Sequence, residues 1–202
     1  MDLGTVFLVA ILVIDVAISV WNAYAAGLSL TLLKGQAGQT FAKSAAVAGL
    51  GLAFAGMAYA MLVVFSFIAL YIGYLTVAEV VVVLSFDFIV FGAMVIGFGL
   101  VVTAQSIAIA YRRRSWGSIA ISAWNVFAEV WDLAIYAEGF RAAYSSMAGG
   151  GRGRLNLYAV IALALLVAFF VTYAAYRHGV GAAERVASGA PAFRPTDRPL
   201  PG

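Results

Sequence analysis

From Ser44 to Tyr111 the chain carries no lysine, no arginine and only two charged residues, Glu79 and Asp87. A soluble domain has about a quarter of its residues charged and cannot accommodate such a stretch. The stretch is also too long for one passage through a bilayer, whose hydrocarbon core takes about 20 helical residues at about 1.5 Å of rise each. Two crossings fit, divided at Tyr71-Ile72-Gly73-Tyr74-Leu75-Thr76, where a glycine, two tyrosines and a threonine suit a tight turn at a membrane surface.

The same deficit recurs on either side. No lysine or arginine lies between Met1 and Leu33, or between Leu155 and Tyr176, and the 202 residues together are 64% hydrophobic and 10% charged. These runs predict an all-α, polytopic transmembrane bundle of about five helices, with spans near 3–28, 45–72, 77–110, 116–140 and 155–177. They make up one transmembrane domain over 1–178. Residues 179–202 hold all four prolines and read as a disordered tail. Gly149-Gly150-Gly151-Arg152-Gly153-Arg154 reads as a flexible link between the last two spans. The first run has Asp2 and no basic flank and outlasts the apolar core of a signal peptide, so it reads as a retained helix.

Basic residues set the expected orientation. Lys34 and Lys43 fall in the first loop, Arg112, Arg113 and Arg114 in the third, and Arg177, Arg185, Arg194 and Arg198 in or beside the tail; the second loop has none. The positive-inside rule then places the N-terminus outside and the tail in the cytoplasm of a multi-pass cell-membrane protein. Arg141, Arg152 and Arg154 in the fourth loop count against it.

Several chemistries are excluded or disfavoured. Cysteine is absent, which removes disulfides, thiolate metal sites and thiol nucleophiles. His178 is the single histidine, beside Arg177 at a span end, and suits a solvated interfacial residue. Bis-histidine haem and three-histidine zinc sites each need more histidines than one chain supplies. No metalloprotease, phosphate-loop, dinucleotide or nucleophile-elbow motif occurs, so an enzyme is disfavoured and no cofactor is expected. The net charge of +3 arises at helix ends and does not call for nucleic acid.

The fourth span carries the strongest local pattern. Ser118, Ser122, Asn125, Glu129, Asp132 and Tyr136 recur at three- and four-residue spacing and so line one helix face. Ile121, Phe127, Val130 and Leu133 occupy the other side and suit lipid or packing. The stripe fits a cavity wall or a face hydrogen-bonded to neighbouring helices. Asp15, Ser19 and Asn22 repeat the arrangement in the first span, and Asp87 and Gln105 stand near opposite ends of the third. By rise per residue Asp15 and Asp87 lie about 13–18 Å below the outer surface, and Glu129 and Asp132 about 6–12 Å. Three helices thus carry carboxylates into nearby layers. Glu79 and Glu138 lie near helix ends and read as solvated.

No basic residue accompanies these acids within any span. A charged carboxylate at the bilayer centre costs at least about 2.5–3.5 kcal/mol. Each must carry its proton, face water, hold a cation, or be hydrogen-bonded structurally. Asp15, Asp87, Glu129 and Asp132 are therefore the candidate proton or cation site, with Ser19, Asn22, Ser122, Asn125 and Tyr136 as supporting polar groups. The corresponding function is a transporter or channel for protons, small cations or small cationic solutes. The alternative is a non-catalytic subunit or assembly component of a larger membrane complex. Expected partners are the lipid bilayer and either further copies of the chain or other membrane subunits.

Two further patterns bear on packing. Gly49, Ala53, Gly56 and Ala60 in the second span, and Ala93 and Gly97 in the third, have the spacing that lets helix backbones approach. Residues Ala17-Ile18-Ser19-Val20-Trp21-Asn22-Ala23-Tyr24-Ala25 resemble Ala120-Ile121-Ser122-Ala123-Trp124-Asn125-Val126-Phe127-Ala128 at six of nine positions. This is either the trace of an inverted repeat or a shared packing motif.

Overall fold

A computed structural model describes residues 3–36, 38–149 and 155–188. They form five helices: α1 (Leu3–Leu32), α2 (Thr40–Tyr71), α3 (Val77–Arg113), α4 (Trp116–Gly149) and α5 (Leu155–Ala187). All five are long and apolar enough to cross a membrane. The protein is an all-helical membrane bundle, as the distribution of charge requires. At 37 residues α3 is about 55 Å long, well beyond a hydrocarbon core of about 30 Å, so it tilts or projects past it.

The turn between α2 and α3 is built by its own residues. Gly73 takes a positive φ of 72°, and Thr76 caps α3 in a reciprocal box with Glu79. The Glu79 amide donates to Thr76 Oγ1 at 3.3 Å, and the Thr76 amide donates to Glu79 Oε2 at 2.8 Å. Glu79 is thus a capping group rather than merely a solvated one. Arg114 ends α3 with a left-handed φ of 48°, after which Ser115 Oγ accepts from the Ser118 amide at 3.3 Å to start α4.

The central helix is α2, which packs against α1, α3 and α5. Its contact surface is made of small residues, with Ala53, Ala55, Ala58 and Ala60 fully buried beside Met57 and Leu62. This suits a membrane bundle, where lipid is as apolar as leucine and association depends on close packing rather than on escape from water. Of the spaced small residues in α2, Ala53 and Ala60 are buried, Gly56 lies against Ser19 of α1, and Gly49 faces open space. The pair in α3 makes no close contact: Ala93 and Gly97 are exposed.

The tightest crossing joins α1 and α5. Gly27 lies against the backbone carbonyl of Tyr176, and Gly179 against that of Tyr24. A β-carbon at either place would meet main chain, which cannot swing aside. Gly179→Val should therefore destabilise the bundle by about 1–3 kcal/mol or more, the usual range for overpacking. Thermal unfolding in detergent checks this, and a midpoint equal to that of the wild type would rule out the close crossing. The same contact corrects the expected tail. Residues 179–187 are helical, because Gly179 and Ala183 are buried and give α5 a packed face beyond the apolar run. Residues 189–202, and the link apart from Gly149, lie outside the described residues.

The helix pairing does not follow an inverted repeat. Such a repeat would pair α4 with α5 as α1 pairs with α2. Among the described residues α4 packs on α3 and has no contact with α5. The two Trp-Asn segments share a packing pattern instead: Ser19 and Ser122 are buried, and Trp21 and Trp124 point outward.

Candidate functional site

The six-residue polar stripe of α4 is the face by which that helix joins the bundle. Ser122 and Glu129 are buried and Ser118, Asn125, Asp132 and Tyr136 are half-buried, while Ile121, Phe127, Val130 and Leu133 are all exposed. Polarity is thus turned inward and apolar surface outward, as a lipid environment favours. The stripe rests on α3, the one helix that α4 packs against among the described residues.

Three contacts set the register of α3 on α4. Thr103 Oγ1 donates to the Asn125 carbonyl at 3.4 Å. The Glu129 carboxylate lies directly over Gly99, where any side chain would displace it. Tyr136 crosses Gly92, donates its hydroxyl to the Ile89 carbonyl at 3.1 Å and stacks on Phe88 with ring centroids 5.4 Å apart. Tyr136 is therefore a clamp between the helices rather than a ligand of the acids. Gly92 and Gly99 are seven residues apart, two turns on one face. That spacing was legible in the sequence as a packing face, but Ala93 and Gly97 competed with it.

The buried carboxyls are poorly satisfied. Asp87 has no exposed surface, and neither of its oxygens has a hydrogen-bond partner among the described residues. Glu129 is 9% exposed, and its Oε1 also lacks a partner. Ser66 of α2 and Thr172 of α5 are buried with unpartnered hydroxyls. Leaving one such group unmade costs about 1–3 kcal/mol, more if it is charged. Asp87 and Glu129 are separate points of unsatisfied polarity rather than one layer as expected, since Glu129 meets α3 at Gly99, about 18 Å along that helix from Asp87.

Acids of two helices, α1 and α4, lie within electrostatic range of each other. Asp132 is within electrostatic range of both Glu129 on its own helix and Asp15 on α1. Tyr59 of α2 is within electrostatic range of both Asp15 and Asp87. Tyr59 makes no hydrogen bond to Asp87, whose two oxygens are both unpartnered among the described residues. It was not among the expected site residues, although it is the one tyrosine inside a span otherwise made of small and apolar residues. The supporting residues divide. Ser19 lies against Gly56, Asn22 is half-buried on α1, and Ser122 and Asn125 lie in the α3–α4 seam.

Other features lie apart from the acids. A groove of about 390 Å³ between α1 and α5 is lined by Trp21, Tyr24 and His178 among others. Another of about 350 Å³ lies between the Val81 end of α3 and Gly139 to Ser146 of α4. Glu138 is exposed as expected, but it lies inside α4 rather than near a helix end, since that helix continues to Gly149. Among the described residues no three histidine, aspartate or glutamate side chains are grouped to hold a metal ion. No protein family, curated protein or solved structure matches this chain, so its own residues carry the functional reading.

Proposed function

We propose that the protein binds a proton or a small cationic solute at Asp15, Asp87, Glu129 and Asp132 and passes it across a cell membrane. The observation that carries this is Asp87, a carboxyl with no exposure and no hydrogen-bond partner among the described residues. A bare carboxylate in hydrocarbon costs at least about 2.5–3.5 kcal/mol, so the group needs a proton or a cation. Arg141, the arginine inside the α4 span, is exposed, and no side chain among the described residues is hydrogen-bonded to either Asp87 oxygen. Intramembrane acids held in this way belong to ion and proton paths. The basic residues at the loop ends of α1, α2 and α3 and on the last turns of α5 support a cytoplasmic C-terminus.

Purified protein in liposomes tests this. Under an imposed proton, sodium, potassium or methylammonium gradient, wild type should dissipate at least one of them. Asp132→Asn should slow that flux about tenfold, equivalent to losing about 1.4 kcal/mol of interaction with the ion. Glu138→Gln, at an exposed position within α4, should match wild type. Absence of wild-type flux for every ion, or full flux through Asp132→Asn, would reject the proposal.

A further inference from the structure

We propose that the groove between α1 and α5 binds an anionic phospholipid, with an acyl chain along α1 and the phosphate at His178 and Arg185. The groove holds about 390 Å³ and is lined by Ala17, Val20, Trp21, Tyr24, Ala175 and His178. Its place in the bilayer follows from the packing. Asn156, at the start of α5, donates to the Tyr74 carbonyl in the α2–α3 turn at 3.3 Å. His178 lies about 33 Å further along α5, close to one hydrocarbon thickness of about 30 Å. It therefore reaches the headgroup layer opposite that turn. Going back along α1 leads inward, since Ala23 packs with Ala53 and Ser19 lies on Gly56, one turn nearer the α2–α3 turn. From Tyr24 to Ala17 the groove thus runs about 10 Å into hydrocarbon.

The two ends of the groove differ in chemistry. Its deep end, at Ala17 and Val20, is apolar. At its headgroup end are the Tyr24 hydroxyl and the His178 imidazole, each able to donate a hydrogen bond. Arg185 is two turns beyond His178 on the same face. Its Nη1 reaches back to 3.7 Å from where a Gly181 β-carbon would stand. None of these three side chains makes a hydrogen bond or ion pair among the described residues. No acid shares their face: Asp15 lies about 160° around α1 from Ala17, and Glu184 about 120° around α5 from His178. Charge complementarity calls for an anion with an apolar body, which in a bilayer is a phosphate carrying acyl chains.

Width selects lipid over protein. A volume of about 390 Å³ over about 10 Å of length gives a cross-section near 40 Å², whereas a helix 10–12 Å across takes about 80–110 Å². A partner's transmembrane helix is too wide for it, and an extended hydrocarbon chain is not. Trp21 and Tyr24 flank the way in, with ring centroids 6.0 Å apart, and such rings favour the headgroup level. Trp21 is exposed, so a lipid enters sideways from the bilayer. The groove shares no residue with the acids and stands whether or not they carry an ion.

The test places the full chain in phosphatidylcholine nanodiscs in which a small, fixed share of lipid has brominated acyl chains. Bromine quenches tryptophan emission on contact. At equal share, brominated phosphatidylglycerol should quench more than brominated phosphatidylcholine. The excess should vanish in Trp21→Phe, because the other three tryptophans are on α4, which does not touch α1 or α5 among the described residues. Competition with unlabelled lipid should show a preference for phosphatidylglycerol of about fivefold or more, most of it lost in Arg185→Gln. Arg177→Gln removes the same charge about 160° around α5 from Ala175 and should keep the preference. Equal quenching by the two brominated lipids overturns the proposal without any variant. So does an excess that survives Trp21→Phe. A preference that Arg177→Gln lowers as much as Arg185→Gln also overturns it, since that is diffuse attraction to a basic surface. A copurifying subunit that shields Trp21 from both brominated lipids does the same.

Discussion

Asp87→Val is expected to raise the thermal stability of the protein in detergent while reducing ion flux in liposomes to that of empty vesicles. The two effects have one origin. Asp87 has no exposure and both of its carboxyl oxygens are unpartnered among the described residues, so it weakens the α2–α3 core it occupies. Removing a buried unsatisfied polar group recovers about 1–3 kcal/mol. Valine is only modestly larger than aspartate, so overpacking offsets part of that gain without reversing it. The same substitution removes the deepest proton or cation acceptor, and no other acid on α3 stands at that depth. Asp87→Asn separates the effects. It keeps the size and a polar group, so stability should stay near wild type while flux is lost. If Asp87→Val proves less stable than wild type, the carboxyl has a structural partner and is no longer a group retained for ion handling at the expense of stability.

Much of the fold could be read from where charge is missing. The five helices follow from runs without lysine or arginine, and the α2–α3 turn from Gly73 and Thr76. The stripe on α4 was legible as one face because its spacing is helical, and that face is indeed the buried one. What the stripe rests on was not legible. In a soluble protein the apolar side of α4 would be the packed side. In lipid, Phe127 and Val130 lose nothing by facing outward, so hydropathy does not show which neighbour the helix chooses. The same limit explains the glycines. Gly97 and Gly99 are alike in sequence context, yet Gly97 faces open space and Gly99 carries the Glu129 carboxylate. Only the angular position about α3, fixed by the Gly92–Tyr136 and Thr103–Asn125 contacts, separates them. The length of α5 escaped for a related reason. Its last turns are held by backbone contact at Gly179, and a contact between main chains leaves no trace in side-chain polarity. Tyr59 was passed over because a lone tyrosine in an alanine-rich span looks like packing until the helices on both sides are known to carry acids.

Gly99→Ala should cost about a hundredfold in flux while leaving the protein folded. A β-carbon at residue 99 falls on the Glu129 carboxylate, the far end of a flexible side chain, so that carboxylate rather than either backbone gives way. Glycine to alanine in a helix is itself favourable by about 0.8–1.0 kcal/mol in propensity, which works against unfolding. The acid is still present, but it is displaced from the position it shares with Asp132. Displacements of about 1 Å in a pre-organised site cost about a hundredfold in rate. Glu129→Gln supplies the comparison, since it keeps the position and removes the charge. If placement of the acid matters, Gly99→Ala and Glu129→Gln should be comparably inactive, and the double variant little worse than either, because both act through one group. Full flux in Gly99→Ala together with loss in Glu129→Gln would mean that the charge acts from wherever it lies, and the seat on α3 would then serve packing alone. Full flux in both would remove Glu129 from the site, leaving Asp15, Asp87 and Asp132 to hold the ion.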